Sequence, residues 1–352
     1  SFPAGMACAL LLLSVWIGWM KNDFSKISPG RLVFFGFLTG LMPIVHTHSF
    51  LVLFWAGFLF LVLSWRHWRK WLWLVVGTLA SFLPIYFFFY YGQLGAEFFS
   101  WHPGWIADKP PFLGNWVYFW LMNWGIFLPL AAWSAWKTGF FRQPIFLLGA
   151  FLFLLGNLFL FQPWDWDNSK ILTFSYFFLA LPTGIYLGQQ LGKSFLPGIV
   201  ALICLEILIF SGGLDLFRAV QTEKVKNLIW NRQELLLAEK FRQLSRPGEK
   251  VLTSDQHNHP IRCLTGARTL MAYRGWLWSY GIDYAKVERE MEKMFAGSEA
   301  GDRLLRERGI SFVFIGPSER NNWNANEDYF RQKYPVALEN SDSVIFRVGS
   351  SN

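Results

Sequence analysis

The apolar residues of this chain stand in long uninterrupted runs through its first part and in short periodic groups through its last part. Each long run is near the ~17–25 residues that a helix needs to cross a membrane, although the second is shorter. We therefore predict about eight transmembrane helices, at Phe2–Met20, Leu32–Val45, Phe50–Trp65, Trp71–Tyr91, Trp116–Trp136, Ile145–Phe161, Ile171–Gln190 and Phe195–Phe217. Because the second run reaches Pro43 and the His46–His48 segment, the second and third helices are expected to form a hairpin with a sunken tip.

After Phe217 the pattern changes to that of a water-exposed domain. Residues 218–352 hold 21 of the 32 Lys and Arg and 17 of the 24 Asp and Glu. Their periodicity predicts helices at Glu223–Leu244, Tyr284–Phe295 and Gly301–Arg308, and strands at Lys250–Thr253, Thr269–Tyr273, Ile310–Ile315, Val336–Leu338 and Ser343–Val348. Strands separated by helices indicate a small α/β domain. The expected division is a transmembrane domain at 1–217 and an α/β domain at 218–352.

Composition supports a polytopic membrane protein. The chain is 53% hydrophobic and 19% aromatic, with only 16% charged residues, which no ordinary soluble domain shows. Cations concentrate in alternate loops, so those loops are expected to be cytoplasmic and the α/β domain extracytoplasmic. The cationic loops contribute part of the net charge of +8, and positive and negative residues are interspersed in the α/β domain. We therefore expect no nucleic acid partner.

The segment between the sixth and seventh runs is the first candidate for chemistry. Asp165, Asp167 and Lys170 lie there with Trp164 and Trp166, and charge at the end of a membrane span is costly and commonly functional. The carboxylates are suited to hold a divalent metal, orient sugar hydroxyls or act as a base, and Lys170 to pair with a phosphate. The indoles offer flat faces to a sugar ring or an isoprenoid chain. The alternative is an interfacial aromatic belt with a helix-capping aspartate.

Three histidines are further candidates. His46 and His48 would point to the same side in an extended turn but diverge by ~200° in a helix. A metal site there would need a carboxylate from elsewhere, Asp165 or Asp167, and the alternative is hydrogen bonding to neighbouring helices or to the backbone of a broken helix. His102 lies in the loop 93–115, which suits an interfacial segment near an acceptor path or a tryptophan-rich surface loop.

The remaining polar features of the sequence are lesser candidates for a functional site. The polar loop after the first strand of the α/β domain, Asp255–His259, is placed where open α/β sheets bind ligands, or is a capping surface loop. Glu206 lies mid-span and is expected to be protonated or paired with another helix. The three cysteines form no disulfide or zinc framework within the α/β domain, and no Walker, GxGxxG, HExxH or GxSxG motif is present.

Stretches of sequence in both predicted domains carry a family resemblance. The run Pro163–Lys170 continuing to Tyr176, and the runs Ala272–Tyr284 and Leu304–Arg320, are similar to uncharacterised bacterial and archaeal membrane proteins of the YYY type. Together with the layout of spans and a trailing domain, they resemble the GT-C superfamily of lipid-linked-sugar glycosyltransferases. In that family the catalytic carboxylate lies in the first outer loop. This chain departs from that pattern, because its first helix leads into the Lys21–Arg31 turn, and we expect it to be the C-terminal part of such a protein.

The resemblance implies a GT-C-type transfer of a sugar from a polyprenyl-phosphate donor to a glycan, lipid or protein acceptor, in a bacterial inner or plasma membrane. It implies catalytic roles for Asp167 and Asp165. It also implies substrate contacts from a larger set, namely Lys170, His46, His48, Trp164, Trp166 and His102. Mg²⁺ or Mn²⁺ is the implied candidate cofactor, and membrane lipids are further partners. The alternatives are a transporter or flippase using Asp167 and Glu206, and a non-catalytic assembly subunit.

Overall fold

The protein is described here by a computed structural model that covers residues 2–22, 24–91, 99–162, 164–221 and 228–349. It divides into two compact units, Ser1–Gln221 and Thr222–Asn352. The first unit is almost entirely helical, and the second combines helices with a five-stranded sheet.

The first unit contains ten α-helices within the described residues: α1 Phe2–Lys21, α2 Pro29–Gly40, α3 Met42–Val45, α4 Thr47–Leu63, α5 Trp68–Ile85, α6 Phe112–Trp124, α7 Phe127–Thr138, α8 Pro144–Leu158, α9 Ser169–Leu191 and α10 Phe195–Val220. A π-helical turn, Tyr86–Tyr90, extends α5, and a 3-10 turn, Asp165–Asn168, leads into α9. Two short strands, β1 Ser100–Trp101 and β2 Phe159–Leu160, pair antiparallel.

Four helical segments are long and apolar enough to cross a membrane in the described part of the chain. They are Phe2–Lys21, Trp65–Tyr90, Asp165–Leu191 and Phe195–Val220, and three shorter apolar segments accompany them at Pro29–Val45, Thr47–Leu63 and Pro144–Leu158. The predicted count of about eight spans is therefore not confirmed. The predicted single span over 116–136 is wrong, because Gly125 adopts a φ of 55° that ends α6 before α7 begins.

Helices α2 and α5 approach each other unusually closely through glycines. A Cβ added at Gly36 would lie 2.1 Å from the Leu74 carbonyl oxygen, and one added at Gly77 would lie 2.1 Å from that of Val33. Only glycine fits such a backbone contact, which is the packing that small residues permit between membrane helices. The Ser81 hydroxyl adds an interhelical hydrogen bond to the Phe37 carbonyl oxygen at 2.7 Å.

The second unit contains a mixed sheet covered by helices. Its strands are β3 Lys250–Leu252, β4 Arg268–Thr269, β5 Ile310–Ile315, β6 Val336–Glu339 and β7 Val344–Arg347, and its helices within the described residues are α11 Arg232–Leu244, α12 Pro260–Thr265, α13 Arg274–Ser279, α14 Ala285–Phe295, α15 Glu299–Glu307, α16 Pro317–Trp323 and α17 Glu327–Lys333. The strand order is β4-β3-β5-β7-β6. Strands β4, β3 and β5 run parallel, β7 pairs antiparallel with β5, and β6 pairs antiparallel with β7.

Several predicted elements of this unit are observed close to their predicted bounds, and two differ. Strand β5 has the predicted limits. Helix α11 begins at Arg232 because Asn231 and Glu234 form a capping box, whereas the predicted start lies among residues 222–227, outside the described residues. The predicted strand Thr269–Tyr273 shrinks to the two-residue β4, because Tyr273 already precedes α13.

Asp302 holds together the helices that cover the sheet. Its side chain is buried at 3% exposure and accepts hydrogen bonds from the hydroxyls of Tyr329 at 2.6 Å and Tyr334 at 2.7 Å, and from the Lys333 ammonium. Burial alone would raise the pKa of Asp302, but these hydrogen bonds outweigh it and lower the pKa. The ionised carboxylate therefore stabilises the fold above the ordinary Asp pKa of about 4 and stops doing so as pH falls through the lower folded value.

We predict that Asp302→Asn lowers the free energy of unfolding of the second unit by about 1.5–3 kcal/mol at neutral pH, since hydrogen bonds to a charged group are lost. The variant should also show a flatter loss of stability in acid. Hydrogen–deuterium exchange of β5 in the detergent-solubilised chain measures both effects. Glu307→Gln, exposed on the same α15, is the matched control. Equal protection of β5 in both variants would contradict the assignment.

Candidate functional site

The junction between α8 and α9 is held by a buried asparagine. The Asn168 side chain, 1% exposed, donates to the carbonyl oxygens of Gly156 at 3.0 Å and Phe159 at 2.6 Å, and accepts from the Phe161 N–H at 3.4 Å. These three bonds satisfy backbone groups that the end of α8 and strand β2 leave without helical partners. The turn that carries Asp165 and Asp167 is thereby fixed against the helix before it.

A second buried asparagine, Asn157, organises the neighbouring aromatic layer. Its side-chain oxygen accepts from the indole N–H groups of Trp116 at 2.8 Å and Trp120 at 2.9 Å. Its amide nitrogen donates to the Phe153 carbonyl oxygen at 2.8 Å. The indole of Trp105, 4% exposed, donates to the Asp165 carbonyl oxygen at 2.6 Å. The loop before α6 is in this way tied to the Asp165–Asn168 turn.

The two predicted catalytic carboxylates have different surroundings. Asp167 forms an ion pair with Lys170, with Oδ1 and Nζ 2.8 Å apart and both side chains about one-third exposed or less. One helical turn separates the two residues, which places them on the same face at the start of α9. The Asp165 side chain is exposed. Of the pair, Asp167 is therefore the carboxylate with a defined charged partner.

The two histidines lie side by side at the break between α3 and α4. His46 is extended, with φ −167° and ψ 113°, and His48 begins the first turn of α4, so the ring centroids are only 5.4 Å apart. Nδ1 of His46 accepts from the Ser49 N–H at 3.2 Å and lies 3.0 Å from the Ser49 hydroxyl. This caps α4, as the structural alternative anticipated, and leaves Nε2 as the ring nitrogen outside the cap.

The structure brings His46, His48, Asp167 and Lys170 into one region. The charges of Lys170 and Asp167 both reach each imidazole. Helices α4 and α9 also contact each other directly. Residues from two distant stretches of sequence therefore form one polar cluster, which we call the His–Lys cluster.

The remaining predicted residues lie outside the His–Lys cluster. His102 pairs with Asp108, with Nε2 and Oδ2 3.2 Å apart, and its backbone N–H donates to the Leu158 carbonyl oxygen at 2.9 Å. Trp164 and Trp166 are exposed at 40% and 64%, and the Trp166 ring meets that of Trp105 edge-on at 5.7 Å. An interfacial position accounts for both exposed indoles.

His48, a member of the His–Lys cluster, lines a mostly apolar cavity of about 300 Å³. His48 and Thr47 contribute to its wall, and the Thr47 hydroxyl lies 3.1 Å from that of Tyr90. The rest of the lining comes from α4, the extended α5, α3 and the residues that flank the β1–β2 pair, and comprises Phe50, Leu51, Trp55, Phe82, Tyr86, Pro43, Phe99, Phe161 and Gln162. Along α4 alone the lining extends for about 12 Å at 1.5 Å per residue.

Two buried donors in this cavity have no partner among the described residues. They are Nε1 of Trp55 and Nε2 of Gln162. Leaving a buried donor unsatisfied costs about 1–3 kcal/mol, so such atoms mark places where a ligand or water completes the hydrogen bonding. The cavity thus combines an apolar wall with unused polar atoms.

The residues of the His–Lys cluster do not fit the divalent metal that the resemblance implies. In the described part of the chain no group of three or more His, Cys, Asp or Glu side chains is placed to hold a metal ion. The single nearby carboxylate of the cluster, Asp167, is engaged by Lys170. Neither Mg²⁺ nor Mn²⁺ enters the chemistry proposed below.

No protein-family model matches this chain, and no curated protein matches it. The resemblance to the GT-C superfamily therefore stays a hypothesis, and the functional argument depends on the geometry of the first unit. Sequence reasoning identified the four members of the His–Lys cluster but missed its supports. Asn157, within an apolar run, was the available signal, because a buried amide requires partners.

We predict that Asn168→Ala destabilises the first unit, since three buried backbone groups lose their partner at about 1–3 kcal/mol each if they stay unsatisfied. A lowered thermal midpoint of the detergent-solubilised chain measures the effect. Asn123→Ala, at an exposed amide that donates to the carbonyl oxygen one turn earlier, is the matched control. An unchanged midpoint for Asn168→Ala would show that the junction does not depend on this side chain.

Proposed function

We propose that this chain is a GT-C-type membrane glycosyltransferase, or the C-terminal half of one, that uses a polyprenyl-phosphate-linked sugar as donor. The observation that carries the proposal is the mostly apolar cavity bordered by His48, beside the Lys170–Asp167 ion pair. An isoprenoid chain needs an apolar channel, and its phosphate needs a cation at the end of that channel. The cavity, and a lysine whose charge reaches the His48 side chain in its wall, both support the proposal.

In this proposal the isoprenoid lies in the cavity along α4 and α5. The unpartnered Trp55 and Gln162 nitrogens belong to residues of the same lining. Lys170 binds the phosphate as a charge-assisted donor, with His46 and His48 adding hydrogen bonds. The Lys170 ammonium then exchanges the Asp167 carboxylate for the phosphate.

That exchange frees Asp167 for catalysis. The Asp167 carboxylate takes the proton from the acceptor hydroxyl as the acceptor oxygen bonds to the anomeric carbon of the sugar. The bond between the anomeric carbon and the phosphate oxygen breaks at the same time, and polyprenyl phosphate leaves with its charge stabilised by Lys170. The products are the glycosylated acceptor and the lipid phosphate. Asp165, whose side chain is exposed, takes no part in this step.

The wider layout is part of the same proposal. The four long apolar helices, the three shorter apolar segments and the α6–α7 pair would together make about eight membrane segments of a GT-C-like domain. The concentration of cations in alternate loops supports an extracytoplasmic second unit in a bacterial inner or plasma membrane. The acceptor would then be a glycan, lipid or protein outside the cytoplasm.

The transport alternative has less support. It requires Asp167 and Glu206 to act together, but Glu206 is exposed on α10 and is not part of the cavity lining. The sequence predicts that Glu206 is protonated or paired with another helix, and pairing has no support among the described residues, where α10 buries only Ala201. The cavity beside the His–Lys cluster suits one bound lipid better than a transport pathway that uses both Asp167 and Glu206.

We predict that Lys170→Ala weakens binding of undecaprenyl phosphate by about ten- to hundredfold, because a charge-assisted hydrogen bond contributes about 1.5–3 kcal/mol. Binding of the uncharged undecaprenol should stay unchanged. Native mass spectrometry of the detergent-solubilised chain measures both lipids.

Two further variants complete this experiment. Lys193→Ala, at an exposed lysine, is the matched control and should bind both lipids normally. Leu51→Trp fills the cavity and should weaken both lipids together. Equal binding of undecaprenyl phosphate by the Lys170→Ala and native chains would exclude Lys170 as the phosphate ligand.

We predict that Asp167→Asn reduces sugar transfer by about 10²–10⁴-fold, the usual contribution of a general base, while undecaprenyl phosphate still binds. Asp165→Asn is the matched control and should transfer sugar normally. Membranes containing each variant, supplied with radiolabelled polyprenyl-phosphate mannose, glucose or arabinose, give the rates. Inactive Asp165→Asn with active Asp167→Asn would move the base to Asp165, and two active variants would exclude both residues.

A further inference from the structure

The second unit holds a separate polar cavity of about 770 Å³ at one edge of its sheet. The cavity lies where the parallel strands β3 and β5 end, and its lining includes Asp255 and His259 after β3 and Pro317 and Glu319 after β5. The chain leaves β3 toward β4 on one side, whereas β5 lies on the other side. Such a switch point is where open α/β sheets form a ligand crevice.

A buried carboxylate joins the two strand ends at the floor of this crevice. Glu319 is fully buried, and its Oε1 accepts from the Ser254 N–H at 2.7 Å while its Oε2 accepts from the Gly316 N–H at 3.0 Å. Oε1 also lies 3.1 Å from Nε2 of His259, which is 1% exposed. Burial alone would raise the pKa of Glu319, but the bonds from His259 and Ser254 outweigh it and lower the pKa.

The other nitrogen of His259 is buried in the cavity wall without a partner. Nδ1 has no hydrogen-bond partner within the described residues. An ionised carboxylate only accepts, so Nε2 carries the proton given to Glu319, and when that is the one proton of the ring Nδ1 is an acceptor. A buried acceptor next to an open polar cavity lacks the donor that a ligand hydroxyl would supply.

Each carboxylate around the cavity already has a partner. Asp255 is bound by both Nε and Nη2 of Arg274, at 2.6 Å and 3.0 Å, and Arg274 also reaches Glu288 at 2.5 Å. Glu234 accepts from the Asn231 N–H at 2.7 Å. The one Lys or Arg of the lining, Arg274, is held by two carboxylates and so is not free to bind a phosphate. Among the described residues no group of three His, Cys, Asp or Glu side chains is placed to hold a metal ion. An uncharged ligand therefore fits this lining better than a phosphate or a metal ion.

The rest of the lining suits a ligand with many hydroxyls. Amide and hydroxyl groups, which both donate and accept, come from Gln256, Ser318, Asn321 and Asn322, and aromatic faces come from His257 and Tyr273, whose ring centroids are 5.3 Å apart. The volume lies within the usual range of about 300–1,000 Å³ for small-molecule sites. Paired polar groups beside an aromatic ring match the hydroxyl edge and apolar face of a saccharide.

We propose that the crevice at the ends of β3 and β5 binds a neutral saccharide, with Nδ1 of His259 accepting a hydrogen bond from one of its hydroxyls. The site shares no residue with the cavity of the first unit. It therefore stands whether or not the chain transfers sugars.

The test probes the full detergent-solubilised chain on a microarray of bacterial and mammalian glycans and measures the strongest binder by calorimetry. His259→Gln keeps an amide nitrogen where Nε2 contacts Glu319 but removes the Nδ1 acceptor, and it should weaken binding about three- to tenfold. Asn321→Ala, at an exposed residue of the lining, should also weaken binding without disturbing the core. Gln332→Ala, exposed on α17 outside the lining, should bind as the native chain does.

Glycan binding that both lining variants weaken, with β5 hydrogen exchange unchanged in Asn321→Ala, supports the site. Binding of no glycan on the array, or equal binding by Asn321→Ala and Gln332→Ala, would overturn it. Heat of binding from inorganic phosphate that the glycans do not displace would overturn it as well, because it would show an anion site. Sugar transfer by Asn321→Ala tests the proposed enzyme separately, since loss of saccharide binding with transfer intact concerns this site alone.

Discussion

The first unit depends on one requirement, namely that polar groups in an apolar interior find hydrogen-bond partners. Asn157 and Asn168 meet it at the junction of α8 and α9, where the backbone leaves helical geometry and exposes N–H and C=O groups. Each asparagine offers both a donor and an acceptor, which lets one side chain satisfy groups of both kinds. The turn that carries Asp167 and Lys170 is rigid because of these contacts.

The same requirement explains why the unpartnered atoms are informative. Buried charges such as Asp302 and Glu319 are surrounded by donors, so they stabilise the fold without needing a ligand. In contrast, the ring nitrogens of Trp55 and His259 are buried against cavities and lack partners among the described residues. A buried donor or acceptor without a partner costs free energy, and a molecule bound in the adjoining cavity would offset that cost.

Much of the second unit was predictable because its signals are local. The apolar run Ile310–Ile315 between Gly309 and Gly316 defines β5, and the amphipathic pattern of α14 fixes its buried face. In the first unit the pattern identified apolar helices but not their breaks. Gly125 interrupts 116–136 without any change of hydrophobicity, and β1 pairs with β2 across a long sequence separation. Neither feature changes the spacing of apolar residues along the sequence.

The pattern of apolar and charged residues alone predicts apolar helices followed by a charged α/β unit. It also identifies His46, His48, Asp167 and Lys170 as polar side chains whose placement among apolar helices costs free energy. The folded structure is what brings the charges of Asp167 and Lys170 within reach of both imidazoles, pairs His102 with Asp108 and leaves the two indoles exposed. The reason is physical. Composition and periodicity record the solvent each residue faces, whereas convergence depends on helix packing, which glycine contacts and buried amides set between residues far apart in the chain.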